Sequence, residues 1–151
     1  MELTLKTTGV LKPETILGVN GVKYPLVKTS KIFSEAYRLN IDGVVTNYTY
    51  KLNFNRHYFY ANERQYNFIM GLNSCSIMIE NLTFIFKKSQ KKYRIFINDV
   101  EVAAYDEYST LKSSFKLTTV VDAYYEYMLD LFIIYNIANN VLTSAPVITA
   151  L

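Results

Sequence analysis

Chemistry-bearing side chains are scarce in this chain. Among its 151 residues Cys75 is the only cysteine and His57 the only histidine. A lone cysteine excludes an intramolecular disulfide and any cysteine-ligated zinc site. With no clustered His, Cys and carboxylate groups, neither a metal nor a cofactor is expected. Tryptophan is absent, and there are only five glycines and three prolines. Gly18, Gly21 and Gly43 stand singly, which excludes a glycine-rich phosphate loop and leaves the turns to Asn, Asp and Ser. Charge of one sign is not in excess: the net charge is +3, so a basic partner site must arise from local clustering. The opening MELTLKTTGV lacks a basic segment followed by an apolar run. No signal peptide is read, and a cytoplasmic protein, peripheral at most to a membrane, is expected. The sequons at Asn47 and Asn81 carry no weight in that compartment.

What is abundant is hydrophobic and aromatic. Half the residues are hydrophobic, and fourteen are Tyr and nine Phe, types that favour strands. From Tyr48 to Tyr60 (YTYKLNFNRHYFY) apolar residues fall mainly on even positions and polar ones mainly on odd positions. That period of two predicts one long strand, bent near Asn55–Arg56, with an apolar and a solvated face. Shorter strands are predicted at 2–10, 15–19, 22–27, 36–41, 44–50, 66–70, 76–80, 82–87, 93–97, 100–105 and 114–120. Asn20–Gly21, Asp42–Gly43 and Asn98–Asp99 are the tight turns between them. Many short strands with regularly spaced turns predict an antiparallel sheet closed as a sandwich or barrel.

The end of the chain differs in kind. Val120–Val141 (VVDAYYEYMLDLFIIYNIANNV) reads as one helix, with Asp122, Glu126 and Asp130 four apart on a single stripe. Leu131–Tyr135 covers every face, and a helix apolar all round is buried or spans a membrane. Spanning takes about twenty predominantly apolar residues, whereas Asp130, Asn136, Asn139 and Asn140 interrupt this stretch. Burial is therefore expected, not spanning. The fold class predicted is mainly β: an antiparallel barrel of about ten to twelve strands enclosing a hydrophobic C-terminal helix. The expected organisation is one domain over 1–151, with barrel strands in 1–120, the central helix in 121–141 and an apolar tail in 142–151.

Two segments carry a resemblance. Tyr37–Val45 (YRLNIDGVV) and Lys92–Ala103 (KYRIFINDVEVA) each look like a strand, tight turn and strand, and Leu129–Ala138 looks like a central helix. The pattern resembles the tubby C-terminal-like superfamily, which includes phospholipid scramblases and small bacterial proteins. The resemblance implies a barrel of about a dozen strands around one helix. It also implies relatives that bind phosphoinositides through basic barrel residues, although no motif maps those positions onto this chain. The tail Leu142–Leu151 departs from the family, whose members often stop near the helix end.

The best functional candidate is a basic cluster. Lys87, Lys88, Lys91, Lys92 and Arg94 gather around an apparent turn at Ser89–Gln90, at the tip of a predicted hairpin. Such a tip can meet phosphates as point charges, each cation contributing about 1 kcal/mol near an anionic membrane. A solubilising, edge-protecting role explains the same lysines without a ligand. His57 falls on the polar face of its strand and is read as solvated, and Cys75 (in LNSCSIM) as a small core or turn residue. No nucleophile motif flanks either, so no catalytic residue is assigned. The acidic stripe is read as the solvated side of the helix entry. The aromatics and cations of Tyr48–Tyr60 lie on opposite faces, which argues against a nucleic-acid stacking platform. A helix-filled barrel also leaves no lipocalin-like pocket. The function expected is a non-enzymatic binding or scaffold protein, touching anionic phospholipid through the basic hairpin. The alternative is a protein-interaction or homo-oligomeric assembly module using the tail 142–151 or an edge strand.

Overall fold

The computed structural model describes residues 1–8, 14–29, 35–53, 56–71, 74–90, 92–109, 114–119 and 121–144. The chain divides into two compact units, Met1–Val120 and Val121–Leu151.

The first unit is built by its turns. At Asn20–Gly21, Asp42–Gly43 and Asn98–Asp99 both residues have positive φ, the geometry whose twist matches two right-twisted strands. Glycine takes that conformation without strain at φ +83° and +88°, while Asn98 and Asp99 take it with side chains. Asn62 and Glu80 open two further tight turns at φ 56° and 53°, which the scan for Asn-Gly and Asp-Gly pairs does not find. Two of the turn asparagines lace their hairpins to the strand that precedes them in the barrel. Glu2 donates its N–H to Asn20 Oδ1 at 2.9 Å, and Asn47 donates its N–H to Asn62 Oδ1 at 2.8 Å.

The strands joined this way form a meander: β1 (Glu2–Thr8), β2 (Glu14–Val19), β3 (Val22–Lys28), β4 (Glu35–Ile41), β5 (Val44–Asn53), β6 (Arg56–Ala61), β7 (Arg64–Met70), β8 (Ser74–Ile79), β9 (Leu82–Ser89), β10 (Lys92–Ile97), β11 (Val100–Ser109) and β12 (Ser114–Thr119). Each pairs antiparallel with its neighbours, and β1 pairs with β12 to close a twelve-stranded barrel. The seam registers Leu3 against Phe115, and Leu117 donates its N–H to the Met1 carbonyl at 2.8 Å. Closure gives every strand of the barrel a neighbour on both sides. The β3–β4 register runs only from Leu26 to Lys28, next to Pro25, whose nitrogen cannot donate to a ladder.

Alternate residues supply the core: Leu3, Leu17, Leu26, Leu39, Tyr48, Phe59, Phe68, Ile77, Phe84 and Ile95 are all buried. Two stretches break the period of two. A bulge where β10 meets β11 leaves Val102 and Ala103, adjacent in sequence, both buried. The second break corrects the sequence reading: Tyr48–Tyr60 is not one strand. The chain reverses after Asn53, which pairs with Arg56, and β5 and β6 lie side by side. The inward positions accordingly switch from even (Tyr48, Tyr50) to odd (Phe59, Ala61) across the reversal.

In the second unit a 3₁₀ turn, Asp122–Tyr124, precedes α1 (Tyr125–Ser144), so the helix runs three residues past its predicted end at Val141. Asp122 lies in the 3₁₀ turn, and only Glu126 and Asp130 of the acidic stripe belong to the α-helix. Leu131, Phe132, Ile133 and Ile134 are all buried. Four consecutive positions sweep more than one turn, so no side of this stretch faces water. Asn136 is accommodated by donating Nδ2 to the Phe132 carbonyl at 2.8 Å. No helix among the described residues is long and apolar enough to cross a membrane. Of the predicted tail, 142–144 continue the helix, and 145–151 lie outside the described residues.

Candidate functional site

The basic hairpin is β9–β10. Ser89 pairs with Lys92, Lys88 with Tyr93 and Lys87 with Arg94, so the reversal sits at Gln90, one position later than the sequence suggests. Gln90 has φ 54°, and Lys91 lies outside the described residues. Alternation divides the cluster. Lys87, Lys92 and Arg94 share the outer face, while Lys88 shares the opposite face with Phe86, where the strand has run out to the rim.

Neighbouring strands decide how much of that charge is available. Lys92 Nζ lies 3.5 Å from Asp106 Oδ1, and Arg94 Nε lies 4.0 Å from Glu101 Oε1. Lys92 and Asp106 keep side-chain exposures of 40% and 41%, so this pair stabilises the fold little. Its larger effect is to cancel charge. The register extends it to Lys116 and then Glu2, giving alternating signs across β10, β11, β12 and β1. Lys87 and Lys88 differ. Among the described residues neither has an acidic partner, and each ammonium rests on a ring. Lys87 Nζ is 4.8 Å from the Phe96 centroid, and Lys88 Nζ is 5.5 Å from that of Tyr93. A cation over a ring face keeps its charge. The strongest part of the cluster is therefore Lys87 and Lys88. The sequence did not show this, because Asp106 and Glu101 come from β11.

The residues weighed for nucleophilic chemistry are not brought together. His57 and Cys75 lie on β6 and β8 with β7 between them, registered against Phe68 and Met70 respectively. His57 is not on the solvated face, which corrects the sequence reading. The reversal at Asn53–Arg56 turns it inward, half-buried, with its Nδ1 2.7 Å from Tyr50 Oη. Its ring stacks on Tyr50 at 5.8 Å and meets the edge of Phe68 at 6.1 Å. Burial among these rings holds the imidazole pKa below 6.5. Cys75 is buried, and desolvation pushes its thiol up to about 12, far from a reactive thiolate. Among the described residues no three His, Cys, Asp or Glu groups cluster as metal ligands would.

One outer-face feature has no counterpart in the sequence reading. Arg56 and Ile69 line a hollow of about 140 Å³ together with Tyr58, Asn67 and Met78, and His57 and Phe68 also border it. The register sets Tyr58, Asn67 and Met78 side by side on three neighbouring strands. A three-strand juxtaposition has no spacing signal in one dimension.

No known family model, curated protein or solved structure matches this chain.

Proposed function

We propose that this chain is a non-enzymatic binding protein of tubby-like build that associates with anionic phospholipid through the β9–β10 hairpin. The observation that carries the reading is the pair Lys87 and Lys88: exposed, seated on aromatic rings, and without acidic partners among the described residues. Lys92 and Arg94 contribute at the same tip with part of their charge neutralised. Burial of the only thiol and its separation from the only imidazole support a binding role over hydrolytic chemistry. A cytoplasmic, membrane-peripheral protein is the setting this reading implies.

Sedimentation with anionic phosphatidylserine vesicles and with neutral phosphatidylcholine vesicles tests it. Binding is expected to the anionic vesicles at low salt and to weaken at physiological salt. Removing both charges with Lys87→Gln and Lys88→Gln should weaken it about thirty-fold, two cations at about 1 kcal/mol each. Equal binding to neutral vesicles, or anionic binding indifferent to those two substitutions, would end the proposal.

A further inference from the structure

In an antiparallel meander, the C-terminal ends of odd-numbered strands and the N-terminal ends of even-numbered strands share one end of the barrel. Sorted this way, the charges of this barrel segregate. At the end holding the β9–β10 reversal stand Lys6, Lys28, Lys51, Arg56, Lys87, Lys88 and Lys92, against Glu14, Glu35, Asp106 and Glu107. At the opposite end, where the tight Asn and Asp turns lie, stand Asp42, Glu63, Glu80 and Asp99, against Lys23 and Arg64, while the pairs Arg94–Glu101 and Lys116–Glu2 lie between the ends. A net charge of +3 conceals this separation because the two ends nearly cancel.

The basic end also carries exposed apolar side chains. Ile69 and Met70, the last two residues of β7, are 49% and 45% exposed. They lie within an arc of cations that runs from Lys51 on β5 and Arg56 on β6 to Lys87 and Lys88 on β9 and Lys92 on β10. Ile69 and Arg56 border the same outer hollow of about 140 Å³. Alternation sends Ile69 and Met70 to opposite sides of the strand, so the pair covers both sides of the rim.

We infer that the barrel meets an anionic bilayer with this end, Ile69 and Met70 entering the headgroup layer while the surrounding cations meet lipid phosphates. The inference rests on the proposed lipid association and gives it a geometry. Charge complementarity selects the anionic bilayer as occupant: cations frame the apolar pair, and the acidic turns stand at the far end, where an anionic surface would not repel them. An apolar centre is what separates a bilayer partner from a nucleic acid, since phosphate-backbone binding draws on the cations alone.

The test compares four forms of the full chain on phosphatidylserine and phosphatidylcholine vesicles at low and at physiological salt. They are the wild type, Lys87→Gln with Lys88→Gln, Ile69→Ser with Met70→Ser, and Met70→Trp. The chain has no tryptophan of its own, so the last reports its own surroundings. The Ile69→Ser, Met70→Ser form should lose about ten-fold or more of its anionic-vesicle binding, and a larger share of what survives physiological salt. Met70→Trp fluorescence should shift to the blue on anionic vesicles and be quenched by lipids brominated near the headgroup. All four substituted positions are exposed, and an unchanged melting temperature identifies folded variants. Wild type that ignores anionic vesicles overturns both the lipid reading and this geometry. Binding that falls with the lysine substitutions, yet is unchanged in Ile69→Ser, Met70→Ser and gives no tryptophan shift, overturns the geometry alone. Single-stranded DNA binding as tightly as the vesicles, with loss only in the lysine form, assigns the surface to nucleic acid and overturns it as well.

Discussion

His57 shows how a single residue's chemistry is set by its neighbours. Its pKa is lowered by burial among Tyr50 and Phe68, so the folded state favours the neutral ring. A histidine depressed on folding destabilises when it must be protonated. Its penalty is absent above the ordinary value of 6.5 and grows as pH falls through that value toward the lowered one. The melting temperature of the wild type should therefore drop across this acid window, and His57→Gln should flatten the drop. A profile unchanged by that substitution would place the acid sensitivity elsewhere. Cys75 makes a kinetic prediction of the same kind. With its thiol buried and pushed up to about 12, it should resist a thiol reagent at neutral pH in the native protein and react promptly in denaturant. Both residues were conspicuous in the sequence. Which face each occupies was not, because the reversal at Asn53–Arg56 inverts the alternation from which His57 was read as solvated.

Among the elements, the turns between strands are the most legible and the easiest to test. Asn20–Gly21 and Asp42–Gly43 were readable because glycine advertises a positive φ. Asn62 and Glu80 were not, because they meet the same demand with ordinary side chains. Asp99 stands at φ 64°, where glycine would carry no Cβ penalty. Asp99→Gly should raise stability by up to about 1 kcal/mol, read as a higher melting temperature, with the larger freedom of an unfolded glycine opposing part of the gain. A fall would mean that the carboxylate makes a compensating contact. Within the strands, truncating the buried Phe84 to Ala should cost about 3–5 kcal/mol, enough to lower the denaturation midpoint severely. The helix was legible for a different reason: four buried positions in succession leave the same trace in sequence as in structure.

At the scale of the barrel, closure and charge separation are collective properties. The seam between β1 and β12 registers only Glu2–Thr4 against Ser114–Lys116 and is assisted by the Met1 carbonyl. Deleting residues 1–8 removes that seam and exposes the edges of β2 and β12. The shortened chain should lose its cooperative melt and aggregate, and a soluble, cooperatively melting product would show that closure is dispensable. The charge ladder makes a second prediction. Asp106→Asn should change stability by less than about 1 kcal/mol, since the pair is exposed. The same substitution should tighten binding to anionic vesicles by releasing Lys92, which vesicle sedimentation beside a thermal melt would separate.

The sequence by itself determined the element types, most of the turns, a barrel of about the right strand number and a buried C-terminal helix. Each of these is written in local periodicity: two for strands, every position apolar for the helix, special φ at the turns. Tertiary structure alone decided which lysines of the hairpin keep their charge, which way His57 points, and that cations and carboxylates collect at opposite ends. Those outcomes depend on the register between strands far apart in the chain. An ion pair such as Lys92–Asp106, or an apolar pair framed by cations from four different strands, has no signature in the order of residues.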